Sequence, residues 1–428
     1  MRLLIHSAKQ VVTVCSNGER RLNGDKMKIV EVLEDERGLA IVTNSEGRIA
    51  AIGSNPDIRS KWSDSMFEKV VDASGMCILP GFIDTHTHPV WSGDRVNEFV
   101  MKVAGASYLE IHQSGGGIYS TVNSTIDSSE ETLYESLKDR LMKMLHAGTT
   151  VVECKSGYGL ETEAEFKLLR VLQRAKRELP IEISITFCSA HAVPKGRSAD
   201  EATHTIITEQ IPRLKQMIQL KEVDVENIDV FCETGVFSVE QSKKILAAGK
   251  DIGLRLNFHG DELHPTGSAE MGAELGATAI SHLEEISDNG IVAMAKAGSV
   301  AVILPTTAFF LRLKPPPVRK MINSGVTIAL GSDFNPNAYC YSMPTVMTLA
   351  CINLGMSVTE ALAASTLNAA AALGRASTHG SIEVGKYGDF ILINADRWEH
   401  IIYQFGVHGH LIHMVIKNGI IVHKNVKS

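Results

Sequence analysis

Two histidines two residues apart are the strongest chemical feature of this sequence. They stand in the segment Asp84-Thr85-His86-Thr87-His88, directly after the apolar run CILPGFI. Side chains alternate along extended backbone, so His86 and His88 face the same side. Such a pair is typical of a metal site, because neutral imidazole is a common ligand of zinc and iron. The sequence therefore predicts a metal-binding pair at this point.

Polar groups follow five further apolar runs. They are Lys155-Ser156-Gly157-Tyr158, Ser189-Ala190-His191, His259-Gly260-Asp261-Glu262, Ser281-His282 and Ser332-Asp333-Phe334-Asn335. Parallel strands of one barrel bring such ends together at one mouth, where barrel enzymes hold their active sites. His86, His88, His259 and Asp333 then form a ligand set suited to Zn²⁺ or iron, with positions left open for water.

The elements that must position these residues are predicted by the apolar runs themselves. From about residue 77 to 376, strand-like runs alternate with helical segments. The eight runs are CILPGFID, TTVVECK, IEISITFC, IDVFCE, GLRLNFH, ATAISH, SVAVILP and VTIALGSD. Eight such strands predict a TIM-like (β/α)8 barrel more readily than a doubly wound sheet, since no GxGxxG follows the first strand. Residues 162–165 and 238–241 have the capping-box pattern of helix starts.

Both ends of the chain have strand patterns without this alternation. Residues 1–76 contain several short strands, and residues 377–428 contain GDFILINA and a hairpin about Asn418-Gly419. We therefore predict an α/β protein with three segments. The barrel spans 77–376, and residues 1–76 and 377–428 together form a small β-sandwich.

Composition and charge limit the class of protein. The 428 residues carry a formal net charge of −7, which argues against a nucleic-acid or anionic-membrane partner. The seven cysteines form no CxxC site and suggest reduced, buried thiols. The first residues are interrupted by His6, Lys9 and Gln10, so no signal peptide is expected. We expect a cytoplasmic protein whose partner is a small-molecule substrate.

The motifs resemble those of a known superfamily. PGFIDTHTH, a histidine after the fifth strand, another after the sixth and an aspartate after the eighth are similar to amidohydrolases. A finer resemblance, over nearly the whole chain, is to the imidazolonepropionase family. It is carried by Arg95 seven residues beyond His88, and by GASYLEI, QSGGGI, ECKSGYGLE, SAHAVP, ETGVF, HGDELHP and SDFNPN.

The resemblance implies an activity and an assembly. The activity is hydrolysis of the cyclic amide of 4-imidazolone-5-propanoate to N-formimino-L-glutamate in histidine degradation. It further implies one Zn²⁺ or iron ion per chain, a homodimer, and a structural role for Lys155. In binuclear relatives, the lysine after the second strand is instead a carbamylated metal bridge.

The resemblance also implies which side chains contact the substrate. In the family, the arginine after the histidine pair, the tyrosine of KSGYG and the histidine of SAHAVP do so. With the further candidates from the same motifs, the residues here are Arg95, Tyr108, Tyr158, His191, Asn335, Asn337 and Ala338. Asn337 and Ala338 stand where the family carries glycine and a small hydroxylic residue, so contacts there are expected through the backbone.

Catalytic roles follow from what opening a cyclic amide requires. No serine or cysteine stands in a recognisable nucleophile motif, which favours water activated by a metal. His282 is expected to hold or deprotonate this water, or to polarise the carbonyl. Glu262 suits transfer of a proton to the ring nitrogen, and Asp333 can share the base role while binding the metal. Arg95 suits the propionate tail, because a guanidinium pairs bidentately with a carboxylate.

Three alternatives remain open at this point. An aminohydrolase of a purine- or pyrimidine-like ring needs the same metal set and proton shuttle. A binuclear cyclic-imide hydrolase requires two metals, with Lys155 as their bridge. A non-catalytic scaffold is disfavoured, because nothing structural requires His86, His88, His259 and Asp333 together.

Overall fold

The structure is a computed structural model, and it describes residues 1–105 and 116–425. Strands β1–β16 are Leu3–Val14, Glu31–Thr43, Ile49–Ser54, Lys69–Asp72, Cys77–Pro80, Phe82–Asp84, Thr149–Lys155, Glu182–Ala190, Val225–Cys232, Arg255–Gly260, Ala279–His282, Val300–Ile303, Thr327–Leu330, Phe390–Ile393, Ile412–Lys417 and Ile420–Lys424. Helices α1–α17, numbered within the described residues, are Asn55–Arg59, Val96–Val103, Ile118–Asp127, Glu130–His146, Thr162–Glu178, Ala199–Thr205, Ile211–Gln219, Val239–Asp251, Ser268–Leu275, Asp288–Ala297, Pro305–Leu311, Val318–Asn323, Met343–Leu354, Val358–Ala364, Leu367–Ala372, His400–Tyr403 and His408–Leu411. Short 3₁₀ turns span Gly24–Lys28 and Asp64–Met66, and a π-helical segment, Ile206–Gln210, joins α6 to α7.

The predicted barrel is confirmed. Strands β6 to β13 form one eight-stranded parallel sheet in chain order, with helices between most of them. The ends of this sheet meet just beyond β6 and β13, where Thr87 bridges Phe334. There the Asp333 N–H donates to the His86 carbonyl at 2.9 Å, and the His88 N–H donates to the Phe334 carbonyl at 2.9 Å. The closure therefore brings the histidine pair and Asp333 together through the backbone.

The run CILPGFID is two strands, contrary to the prediction of one. Cys77–Pro80 pairs with β1 and β14 of the terminal sheet, and only Phe82–Asp84 belongs to the barrel. Gly81 lies between them, and a Cβ at this position would collide with the side chain of Thr150. The chain thus enters the barrel through a position that only glycine fits. The segment boundaries at residues 76 and 376 remain a prediction.

A second sheet from both ends of the chain is present, as predicted. Its strand order is β16-β15-β14-β5-β1-β2-β3, and β4 pairs with β1. The hairpin between β15 and β16 turns at Asn418 and Gly419, whose φ angles are 52° and 70°. Two positive φ values match the Asn-Gly hairpin turn that the sequence predicted. Within the described ranges, no helix combines the length and apolar character needed to cross a bilayer.

The two predicted capping boxes have different outcomes. The box at Ser238 and Gln241 is present at the start of α8. The box at Thr162 was wrong, because α5 starts after Glu161 without a side-chain cap. Glu165 is buried instead and accepts hydrogen bonds from the N–H groups of Gly157, Gly159 and Leu160 at 2.7–3.1 Å. This buried carboxylate fixes the loop that carries Tyr158.

Candidate metal centre

The four side chains predicted as metal ligands converge at the mouth of the barrel. His259 Nε2 lies 3.1 Å from His86 Nε2 and 3.2 Å from His88 Nε2. Asp333 Oδ1 lies 3.5 Å from the Nε2 atoms of His86 and of His88. None of the four residues is more than 4% exposed. Four potential ligand atoms from β10 and from the segments after β6 and β13 therefore face one small space.

The protonation states of these four side chains suit metal binding. The carboxylate of Asp229 accepts a hydrogen bond from His259 Nδ1 at 2.8 Å, which leaves a lone pair on His259 Nε2. Burial lowers the pKa of His86 and His88 well below its usual range and that of His259 to about 3. Asp333 Oδ1 is buried and has no hydrogen-bond partner among the described residues. Neutral imidazoles and an unpaired carboxylate oxygen fit a divalent cation.

Hydrogen bonds hold both the side chain and the backbone carbonyl of Asp333. Thr307, after β12, donates a hydrogen bond to Asp333 Oδ2, so the other oxygen, Oδ1, faces the histidines. The φ angle of Asp333 is 48°, a left-handed conformation that non-glycine residues seldom adopt. Asn335 Nδ2 donates to the Asp333 carbonyl at 2.7 Å and supports this turn. Strained backbone of this kind is concentrated at functional sites.

His282 lies between two acidic side chains beside the cluster. Its Nε2 is 3.4 Å from Glu262 Oε2, and its Nδ1 is 3.7 Å from Glu284 Oε2. Its ring stacks on that of His259 with centroids 5.2 Å apart. Burial raises the pKa of Glu262, whereas Glu262 and Glu284 raise the pKa of His282 against the effect of burial. Because these groups interact strongly, Glu262 and His282 titrate as a pair.

Two of the predicted substrate contacts lie directly beside the ligand cluster. His191 stacks on His88 with ring centroids 4.5 Å apart, and its Nδ1 lies 2.9 Å from the Gly157 carbonyl. The ring of Tyr158 is 5.3 Å from that of His191 and 6.1 Å from that of His88. Both side chains therefore lie next to the proposed metal ligand His88.

Arg95 lies at the edge of this region, and its guanidinium is already paired. Nε donates to Glu98 Oε2 at 2.8 Å, and the second nitrogen, Nη2, pairs with Glu98 Oε1. Arg95 also lines a cavity of about 450 Å³ together with Trp91, Arg140 and Asn337. A substrate carboxylate at Arg95 must therefore share this cation with Glu98.

The remaining predicted contacts are placed less directly. Asn335 Oδ1 accepts hydrogen bonds from the N–H groups of Asn337 and Ala338 at 2.7 and 3.0 Å, so its amide shapes its own loop. Asn337 Oδ1 accepts a hydrogen bond from Lys102 Nζ at 2.8 Å. Ala338 is fully buried. Tyr108 lies outside the described residues.

Comparison with known proteins decides the family. Residues 77–422 match the amidohydrolase family. A probable imidazolonepropionase of Nematostella vectensis is 60% identical over 422 residues, which cover 98% of each chain. The probable imidazolonepropionase of Homo sapiens is 59% identical over 422 residues, covering 99% of this chain and 98% of the relative. The chain belongs to the imidazolonepropionase family of amidohydrolases. The resemblance drawn from its motifs is confirmed, and so is its class as a hydrolase.

Solved structures of other amidohydrolases share the fold of this family member. E. coli guanine deaminase is 15% identical with a TM-score of 0.72, and the match covers 100% of both chains. An adenosine deaminase of Xanthomonas campestris with bound zinc is 18% identical with a TM-score of 0.72, covering 98% of this chain and 92% of that one. At these identities the comparison supports the barrel fold alone.

Several residues around the cluster were not predicted from the sequence of this amidohydrolase. Asp229 lies within β9, Ser281 contacts His86 Nδ1 at 2.8 Å, Thr307 follows β12, and Glu284 follows His282 by two residues. A charged residue inside an apolar strand, as in IDVFCE, is a signal that could have identified Asp229. Ser281 was visible only as a polar residue at a strand end beside His282, and Thr307 and Glu284 carry no comparable signal in the sequence.

Proposed function

We propose that this protein opens the cyclic amide of 4-imidazolone-5-propanoate to give N-formimino-L-glutamate in histidine degradation. One observation carries the proposal, namely a buried His₃Asp cluster flanked by the paired Glu262 and His282. The names of relatives that are 57–60% identical over nearly the whole chain support this substrate. Deamination of a purine- or pyrimidine-like ring has only the structures below 20% identity in its favour.

The metal proposed for this site is one Zn²⁺ or iron ion held by His86, His88, His259 and Asp333. Such an ion, when bound, lowers the pKa of water from about 15.7 to about 7 and polarises a carbonyl group. Lys155 supports one ion instead of two, because its Nζ lies 2.8 Å from Glu153 Oε1 and 2.7 Å from Asp229 Oδ2. An ammonium fits between two buried carboxylates, whereas an anionic carbamate would be repelled by both.

The proton transfers of ring opening are assigned to Glu262 and His282. The oxygen of water adds to the ring carbonyl carbon, the carbon–nitrogen bond breaks, and the nitrogen leaves with a proton. Glu262 accepts the proton from the attacking water and delivers it to the ring nitrogen. His282, whose two nitrogens lie 3.4 Å from Glu262 Oε2 and 3.7 Å from Glu284 Oε2, orients the water or polarises the carbonyl. Asp333 can share the base role through Oδ1.

Substrate orientation is assigned to residues outside the ligand set. Tyr158 and His191 lie beside His88 and are expected to contact the ring. Arg95 is expected to bind the propionate carboxylate. Asn335 acts through its loop, and Asn337 and Ala338 through their backbone. Tyr108 stays a candidate from the sequence motif.

The expected compartment is the cytoplasm, and the expected assembly is a homodimer. All seven cysteines lie in the described part of the chain and are free thiols, which supports a reducing compartment. The homodimer is supported by the family resemblance alone.

Replacing Arg95 with methionine is expected to raise KM much more than it lowers kcat. The propionate carboxylate keeps its charge during ring opening, so its contact with Arg95 is similar in the ground and transition states. A hydrogen bond to a charged group contributes about 1.5–3 kcal/mol, which corresponds to a KM about 10- to 150-fold higher. Steady-state kinetics of wild type and Arg95→Met check this, with metal content expected to be equal.

The control for Arg95 is an imidazolone without the propionate tail. Wild type and Arg95→Met should turn over this compound equally poorly if Arg95 recognises the tail. An equal loss on both compounds would instead place Arg95 in the catalytic machinery.

The direct test of the proposed function is incubation of the purified protein with freshly made imidazolone propionate. The expected result is loss of its ultraviolet absorption, with formation of N-formimino-L-glutamate. Ammonia release from a purine or pyrimidine base, with imidazolone propionate left unchanged, would overturn the proposal in favour of a deaminase.

A further inference from the structure

A buried charged network lies behind the candidate metal centre and includes none of its proposed ligands. Its members are Glu153 and Lys155 on β7 and Asp229 on β9, none more than 1% exposed. Lys155 Nζ lies 2.8 Å from Glu153 Oε1 and 2.7 Å from Asp229 Oδ2. Two carboxylates from separate strands therefore share one ammonium group in the interior of the barrel.

One end of this network holds a proposed ligand directly. Asp229 Oδ1 accepts hydrogen bonds from His259 Nδ1 at 2.8 Å and from the His259 backbone N–H at 3.2 Å. These bonds fix the rotation of the imidazole ring and direct Nε2 towards the other histidines. The second oxygen of Asp229, Oδ2, forms an ion pair with Lys155 Nζ at 2.7 Å.

The other end of the network holds the backbone between the paired histidines. Glu153 Oε2 accepts a hydrogen bond from the Thr87 N–H at 3.1 Å, and the Glu153 carbonyl accepts one from Thr87 Oγ1 at 2.6 Å. The backbone N–H of Lys155 donates a hydrogen bond to the Thr87 carbonyl at 3.0 Å. Thr87 is thus fixed on three sides, and so are the directions of His86 and His88 on either side of it.

We propose that Lys155 is a positioning residue for the metal centre, which it serves through Asp229 and Glu153 without contacting the ion. Its ammonium group joins Glu153, which binds the segment between His86 and His88, to Asp229, which binds His259. Without this charge, the two buried carboxylates repel each other, and both ends of the network lose their fixed geometry. The proposal rests on the metal site assigned above, but not on the identity of the substrate.

The test is a measurement of Zn²⁺ affinity by competition with a chromogenic chelator. Partners that orient metal ligands typically change metal affinity by about 10- to 100-fold, and we expect Lys155→Met to weaken Zn²⁺ binding by this factor. The absorption spectrum of the Co²⁺-loaded variant should also differ from that of wild type, because the ligand geometry is altered. Neither readout depends on turnover.

Lys417 provides a matched control. It is 4% exposed and lies 2.6 Å from Asp389 Oδ2 and 3.1 Å from Glu182 Oε2, so it too is a buried ammonium between two carboxylates. It lies on β15 of the terminal sheet. Lys417→Met should lower Tm while leaving the Zn²⁺ affinity of the folded protein unchanged. Equal losses of affinity in Lys155→Met and Lys417→Met would overturn the proposal, since general destabilisation would then explain both.

Two milder variants keep the proposal testable if Lys155→Met does not fold. Glu153→Gln and Asp229→Asn are nearly isosteric, and each weakens one arm of the network. Both should reduce Zn²⁺ affinity in the same direction as Lys155→Met. Wild-type affinity in every foldable variant overturns the positioning role while leaving the proposed function intact. A wild-type protein that binds no metal overturns both, and one that binds Zn²⁺ without hydrolysing imidazolone propionate overturns only the substrate.

Discussion

Replacing His86 or Asp333 with alanine is expected to abolish metal binding and turnover together. Each change removes one of four buried residues proposed as ligands, and the remaining three should not hold the ion. Metal analysis of purified wild type should find about one Zn or Fe per chain, as a four-residue ligand set implies. The metal content of both variants should fall towards zero, and neither variant should measurably hydrolyse imidazolone propionate.

His408→Ala is a suitable control for these two variants. His408 is also a buried histidine, but it lies on α17, outside the proposed ligand set. This variant should retain the metal and the activity of its folded fraction. Full activity with metal retained in His86→Ala or Asp333→Ala would mean that the ligands are misassigned. Two ions per chain in wild type would favour the binuclear alternative.

Glu262→Gln is expected to retain the fold and the metal but to lose most of its turnover. The amide is nearly isosteric with the acid, yet it cannot move a proton from water to the leaving nitrogen. General acid–base groups typically accelerate a reaction ~10²–10⁴-fold. We therefore expect kcat to fall by a factor in this range or larger, while KM changes little. Single-turnover and steady-state kinetics, together with metal analysis, measure the effect. A variant within threefold of the wild-type kcat would exclude the shuttle role.

We propose that residues outside the metal-ligand set distinguish the substrate of this protein from the substrates of deaminases. A His₃Asp metal set with a nearby glutamate and histidine serves hydrolysis of many ring carbon–nitrogen bonds. Tyr158 and His191 lie beside His88, and together with Arg95 they are proposed to recognise the groups that the ring carries. If the substrate carboxylate binds Arg95 as proposed, it competes with the carboxylate of Glu98 for the guanidinium.

The sequence by itself determined the barrel and the cluster of side chains proposed as metal ligands. The eight apolar runs each became a parallel strand, although the first contributes only Phe82–Asp84 to the barrel. A barrel places all its strand ends at one mouth, so polar residues that follow the strands are predictable without knowing any contact. For this reason His86, His88, His259 and Asp333 could be grouped although they are far apart in the chain.

Only the tertiary structure decided what holds these residues in place. The sequence around Thr162 has a capping-box pattern, which depends only on neighbouring residues. In the structure, Glu165 is buried and accepts hydrogen bonds from the N–H groups of Gly157, Gly159 and Leu160, so it does not cap the helix. The pairing of Lys155 with Asp229 was equally invisible, since any of many carboxylates could pair with this cation. Side-chain pairing depends on distances between strands and on burial, which a one-dimensional pattern does not contain. The sequence thus identifies the groups proposed to bind the ion, and packing alone selects the Glu153–Lys155–Asp229 network behind them.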